Sequence, residues 1–339
     1  MTKLIDQLKT ISLEHIKKSY LSLVLITKEL NSNPDNVDYA MFIQQRFDQV
    51  TSNYLNEIFQ IRSSIDFQTQ IKWEINETAS KLNDIQVQSF KYVLYIVNKL
   101  VQCSMLEFCS LFVENDGLRL CLEFLKDEDF LNKNKKVMVE DLGIPDYLTM
   151  IVQTLANRTC DEQKPKWKSL DAADILLKLG EVGPASLLNS YFTFAYLLDD
   201  KQIESLVEQN KMKSILDAFL KILVTASDSY KKNDLDRSDP IEIKLKGTPV
   251  KCKILFVDRG DGISNTIDEI LVCLFKLAVN DSIKLQIYLD KRSNESFKTI
   301  LEKGNFFLFI FYAVLFYLKL TSARKYFLKK LSKSFVIFK

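Results

Sequence analysis

The sequence predicts an all-α chain of stacked helices, and three observations predict it. Glycine and proline are scarce, eight and six among 339 residues, where an average chain has about 7% and about 5%. Apolar side chains recur at helical spacing over most of the length. From about residue 104 the helices are short and are joined by one or two turn residues, as in helices that stack on their sequence neighbours. The scarcity of glycine also disfavours glycine-cradled phosphate sites and turn-rich β architectures.

The elements follow in order. Leu4, Leu8, Ile11, Ile16, Tyr20, Leu23 and Ile26 place one long helix at residues 3–30, ended by Asn31-Ser-Asn-Pro-Asp-Asn36. Further helical runs cover 37–63, the more polar 66–82, and 86–102, with no Gly or Pro from 35 to 116. Residues 1–103 therefore read as a long-helix N-terminal region or cap. In 104–303 the breaks fall at Asp116-Gly117, Leu142-Gly-Ile-Pro145, Gly183-Pro184, Asp199-Asp200 and Asn210.

An internal match lies in this second region. Phe112-Val-Glu-Asn-Asp-Gly-Leu118, Leu206-Val-Glu-Gln-Asn-Lys-Met212 and Ile300-Leu-Glu-Lys-Gly-Asn-Phe306 superpose with Glu114, Glu208 and Glu302 aligned, at two equal separations of 94 residues. Asp116, Asn210 and Gly304 then share the turn position, and all three tolerate a left-handed backbone. Apolar residues follow at matched offsets: Leu118, Met212 and Phe306; Leu122, Leu216 and Ile310; Leu125, Phe219 and Ala313. Half the separation is 47, at the upper end of the roughly 40–47 residues of HEAT and armadillo units. The intermediate positions near 161 and 255 do not carry the template.

These turns resemble those of the armadillo repeat family, in which a helix ends on an acidic residue, a Gly or Asn turn follows, and an apolar helix resumes. Gly143-Ile-Pro-Asp-Tyr-Leu-Thr-Met-Ile-Val152 is similar to the start of that family's second helix, with Gly143 at the turn and Pro145 in the first helical turn. The resemblance covers about 104–318 and departs from the family in its uneven spacing and in 227–265. It implies an armadillo/HEAT-like, right-handed α-solenoid that binds protein partners along a groove.

The interruption reads differently. Ser227 to Pro240 is a charged loop, Ile241-Glu-Ile-Lys-Leu245 alternates with period two, Lys246-Gly-Thr-Pro249 supplies a turn, and Val250–Val257 is a second strand. A β-hairpin is expected near 241–257. It runs into Asp258-Arg-Gly-Asp-Gly262, which resembles the Asp-x-Gly-x-Gly box of the gyrase, heat-shock chaperone, histidine kinase and mismatch-repair ATPases. That resemblance implies Asp258 as the adenine acceptor, with Gly260 and Gly262 as points of close backbone approach. Against it, Thr225 and Ala226 stand where the superfamily's water-activating Glu and magnesium-holding Asn would be. The glycine-rich lid is also missing, since Gly304 is the one glycine after 262. Both losses remove electrostatic stabilisation from phosphoryl transfer.

Other chemistry finds little support. One histidine, His15, excludes a multi-His metal centre, and Cys103, Cys109, Cys121, Cys160, Cys252 and Cys273 form no Cys-x-x-Cys pair, so zinc is not expected. The cysteines read as buried thiols in a reducing cytoplasm, and no secretory signal opens the chain. Trp73 and Trp167 read as packing over helix ends or, alternatively, as partner anchors. Lys164-Pro-Lys-Trp-Lys168 reads as a solvated connector.

From Lys303 onward eight basic residues meet no Asp or Glu, which leaves the remainder mildly acidic and without a basic face for nucleic acid. Phe306–Leu318 is continuously apolar and about 20 Å long as a helix, too short to span about 30 Å of hydrocarbon. Residues 304–339 read as a buried terminal helix, a membrane-attached tail or an aberrant terminus. The sequence as a whole points to a non-enzymatic scaffold or adaptor for protein partners, of a kind used in signalling, without cofactor, catalytic or metal site. A degenerate nucleotide-binding domain and membrane tethering through 304–339 are the alternatives.

Overall fold

The computed structural model of the chain describes residues 11–12, 14–32, 37–65, 67, 82–102, 106–134, 143–159, 162–179, 193–195, 197–231, 241–245, 248–252 and 262–303. These are predominantly α-helical and belong to two compact units, Met1–Leu197 and Leu198–Lys339. The boundary expected after residue 103 lies within the first unit.

The first unit contains α1 (Ile16–Ser32), α2 (Ala40–Gln44), α3 (Phe47–Ile61), α4 (Leu82–Gln102), α5 (Leu106–Glu114), α6 (Gly117–Lys126), α7 (Glu128–Asn134), α8 (Ile144–Thr159), α9 (Lys164–Ser169) and α10 (Ala172–Leu179). Helix α4 is the reason for much of its arrangement. Val87, Phe90, Val93, Leu94, Ile96, Val97, Leu100 and Val101 are all fully buried along one side, and Gln88, Lys91, Tyr92, Tyr95 and Asn98 are buried on the other, so the helix is covered on opposite faces. Helix α1 packs on it from one direction and α8 from another. Helices α3, α6 and α10 pack in a second succession, with α6 also against α8 and α5 against α3, α6 and α8. Between them the rings of Phe59, Phe90 and Phe130 each lie 5.1 Å from Phe124, and Phe67 lies 5.1 Å from Phe130.

The helix expected over 37–63 breaks at Arg46, whose φ is 53°. Phe42 and Phe47 explain the break. Five residues apart, they would project about 140° from each other on one continuous helix, yet both are buried with ring centroids 5.3 Å apart. Helix α1 begins at Ile16, later than the sequence predicts, after a turn in which the His15 N–H donates to the Ser12 carbonyl at 3.1 Å. Residues 1–10 lie outside the described residues.

The second unit contains α11 (Asp200–Glu208), α12 (Met212–Lys231), strands β1 (Ile241–Leu245) and β2 (Thr248–Cys252), α13 (Gly262–Leu277), α14 (Asp281–Leu289) and α15 (Lys291–Lys303). Helix α12 carries the packing, with α11, α13, α15 and β1 against it. Helix α11 opens with a capping box: the Gln202 N–H donates to Asp199 at 2.8 Å, and the Asp199 N–H donates to the Gln202 side chain at 2.9 Å. Ser227–Lys231, expected in a loop, continues α12, since no Gly or Pro interrupts the helix there.

Strands β1 and β2 pair antiparallel, from Ile241 opposite Cys252 to Leu245 opposite Thr248. The second strand therefore starts two residues earlier than expected. Two residues suffice to connect such strands, and Pro249 is tolerated where one strand edge has no partner to receive an N–H. Residues 253–257 of the expected strand lie outside the described residues.

Candidate functional site

The most distinctive local feature is a repeated turn. Among the described residues the non-glycine positions with positive φ are Arg46 (53°), Asp116 (67°), Asp171 (50°) and Asn210 (58°), each between two helices. Asp116 and Asn210 are the turn positions read from the internal match. After them Leu118, Leu122 and Leu125 are buried on α6, as are Met212, Leu216 and Phe219 on α12. Glu302 lies in α15, while Gly304, Phe306, Ile310 and Ala313 fall outside the described residues. Sequence reading misses Arg46 and Asp171. Arginine carries no left-handed signal, and the aspartate's tolerance of that region was the one clue available.

In the first unit, side chains tie each turn to the next. The Asp48 carboxylate, fully buried after the Arg46 turn, accepts from the Arg46 guanidinium at 3.2 Å and from Asn115 Nδ2 at 2.7 Å. Burial of a carboxylate requires such partners. One residue on, Asp116 pairs with Lys166 of α9 at 3.1 Å and with Arg119 at 3.6 Å. Gly117 then starts α6 with the buried Phe112 ring where a Cβ would stand. Pro or Ala at this position would collide with that ring.

A second polar feature sits at the start of α8. Gly143 precedes the helix and Pro145 occupies its first turn, as the sequence predicts. The Gly143 N–H donates to Asp146 Oδ2 at 2.8 Å, half of a capping box, whereas Oδ1 is buried without a hydrogen-bond partner. Burial pushes the Asp146 carboxyl up to about 7, against the lowering effects of the Gly143 N–H and of the Lys91 charge on α4.

The remaining candidates are placed as follows. Asp258 and Gly260 lie outside the described residues, and Gly262 is the first residue of α13. The Trp167 indole is buried, with Nε1 donating to Thr159 Oγ1 at 3.2 Å, a packing role over the end of α8. Trp73 is outside the described residues. The segment expected as a solvated connector is instead the short helix α9, held by that buried indole and by Lys166. His15 Nδ1 lies 3.1 Å from Ser12 Oγ at the start of α1. Cys109, Cys121 and Cys273 are buried free thiols, and burial raises Cys109 to about 11 and Cys121 to about 12, values at which a thiol is a poor nucleophile. Cys103, Cys160 and residues 304–339 are outside the described residues. Among those described, no group of three His, Cys, Asp or Glu could hold a metal ion, and no helix is long and apolar enough to cross a membrane.

No protein-family model matches the sequence, and no curated protein matches it. Two solved structures, each described as an engineered protein, are similar to it. One is 13% identical with a TM-score of 0.47, covering 95% of this chain and 96% of that one. The other is 13% identical with a TM-score of 0.35, covering 94% of this chain and 73% of that one. Similarity of this degree defines neither a family nor a function.

Proposed function

We propose that the chain is a non-enzymatic helical-repeat scaffold of the armadillo/HEAT type, built to recognise protein partners. The recurrence of one device supports this reading most: a helix, a single left-handed residue and a second helix, at Arg46, Asp116, Asp171 and Asn210. In the first unit the helices after these residues, α3, α6 and α10, pack in succession beside a second succession of α1, α4 and α8. Rows stacked this way share one continuous core and present extended faces to a partner. The acidic balance of the sequence before Lys303 favours protein over nucleic acid as that partner. A cytoplasmic adaptor in signalling is the setting that fits, with the basic, apolar 304–339 as a route to membrane attachment.

Titrating Mg-ATP into the full chain by calorimetry separates the scaffold from the ATPase alternative. The expected result is no saturable heat at millimolar nucleotide, alongside a stoichiometric complex rebuilt from purified chain and a partner found by proximity labelling. Saturable nucleotide binding that disappears in Asp258→Asn overturns the scaffold and makes the hairpin region a nucleotide site.

A further inference from the structure

We infer that the outer face of α14 docks on an anionic membrane, with Leu285 and Leu289 entering the headgroup layer and Lys291 and Arg292 meeting its phosphates. Helix α14 is apolar on two opposite sides. Ile283 and Ile287 are buried, whereas Leu285 is 56% exposed and Leu289 65%, the two most exposed large apolar side chains among the described residues. A step of two residues turns the direction on a helix by about 200°, so the exposed pair lies opposite the buried pair. Leu285 and Leu289 are four apart and form one ridge, and Ser282 and Gln286 beside them are exposed and uncharged.

The charges around this ridge decide the occupant. Asp281, the acid at the start of α14, is held by Lys284 Nζ at 2.5 Å, and Asp290 after its end is half-buried. Lys291 and Arg292 are exposed and follow Leu289 within three residues, a reach of at most about 11 Å. Beyond them the charge is increasingly positive: residues 281–339 hold twelve basic and four acidic side chains, with no acid after Glu302. An apolar ridge bordered by cations suits a bilayer with an anionic surface, because the leucines reach the acyl boundary while the cations stay at the headgroups. A convex ridge needs no receiving groove there, since lipids part around it. Stable attachment takes both signals, apolar and electrostatic, so binding is reversible and falls with salt. Helix α1 carries another exposed pair, Leu21 at 53% and Leu25 at 37%, on a ridge bounded by the exposed Lys17 and Glu29. One charge of each sign gives that ridge no net attraction to an anionic surface.

Co-sedimentation of the full chain with vesicles of phosphatidylserine and phosphatidylcholine, beside vesicles of phosphatidylcholine alone, tests this. The expected result is saturable binding to the anionic vesicles that weakens with salt and is absent on the neutral ones. Leu285→Glu/Leu289→Glu should weaken binding at least about tenfold, and Lys291→Glu/Arg292→Glu by about fivefold or more per position. Leu21→Glu/Leu25→Glu on α1 should leave it unchanged. All the altered positions are exposed, so circular dichroism should report unchanged helix content in every variant. A chain that ignores anionic vesicles overturns the inference and leaves the ridge to a protein partner. Binding that persists undiminished in the α14 variants also overturns it, by placing the attachment in 304–339 alone, and an equal loss in the α1 variant does so by marking the contact as non-specific.

Discussion

Asp146 shows how a single residue makes stability depend on pH. Its carboxyl titrates at about 7 in the folded chain, against an ordinary value of 3.8, because burial penalises the charged form. The folded chain thus binds a proton that the unfolded chain has released over this interval. The stabilisation is complete below about 3.8 and is lost as pH rises towards about 7. At about 1.4 kcal/mol per unit, the ceiling is on the order of 4 kcal/mol. Asp146→Asn keeps the acceptor for the Gly143 N–H and removes the titration. Denaturant midpoints measured at intervals between pH 4 and pH 7 should fall in the parent chain and stay nearly level in Asp146→Asn.

The same scale shows what residue identity could and could not reveal. Asp146 reads in the sequence as an ordinary first-turn acid of a helix beginning Gly-Ile-Pro, and its position relative to Gly143 was legible. Its burial was not, because Lys91, on α4, comes from more than fifty residues away. Trp167 was more legible: it reads as packing over a helix end, and its indole is buried with Nε1 donating to Thr159.

At the scale of elements, the turn between two helices is the unit of construction. A left-handed conformation costs an ordinary L-residue about 1–2 kcal/mol, and Asn210 reduces that cost without a glycine. Asn210→Gly should leave stability equal or slightly raised, whereas Asn210→Val should lower it by about 1 kcal/mol or more. Gly117→Ala is expected to be worse, by about 1–3 kcal/mol, because its methyl enters the space of the buried Phe112 ring. Chemical denaturation of the three variants supplies the comparison, and a harmless Gly117→Ala would show that Phe112 can move aside. These turns were partly legible: Asp, Asn and Gly advertise a left-handed residue, and Asp116 and Asn210 adopt it. Arg46 was not, since its conformation follows from the need to bury Phe42 and Phe47 together.

For the molecule as a whole, the first unit should be most resistant to opening at its centre. Helix α4 is enclosed between α1 and α8, so its amides should exchange with solvent most slowly and those at the exposed ridge of α1 faster. Hydrogen exchange read by mass spectrometry distinguishes the two. Equal protection of both helices would mean that the rows open together as one cooperative body.

Helical class and the turn chemistry at Asp116, Gly143 and Asn210 were determined by the sequence itself. Each of these depends on local periodicity or on the backbone preferences of single residues, which act before distant contacts form. Tertiary structure alone decided that 37–63 is two helices, that the Lys164–Lys168 segment is a helix, that α4 lies between α1 and α8, and that Lys17, Leu21, Leu25 and Glu29 stay in water. The reason is physical: which face of an amphipathic helix is covered depends on side chains tens of residues away. Periodicity gives the faces of each helix, and only packing assigns them to core or to solvent.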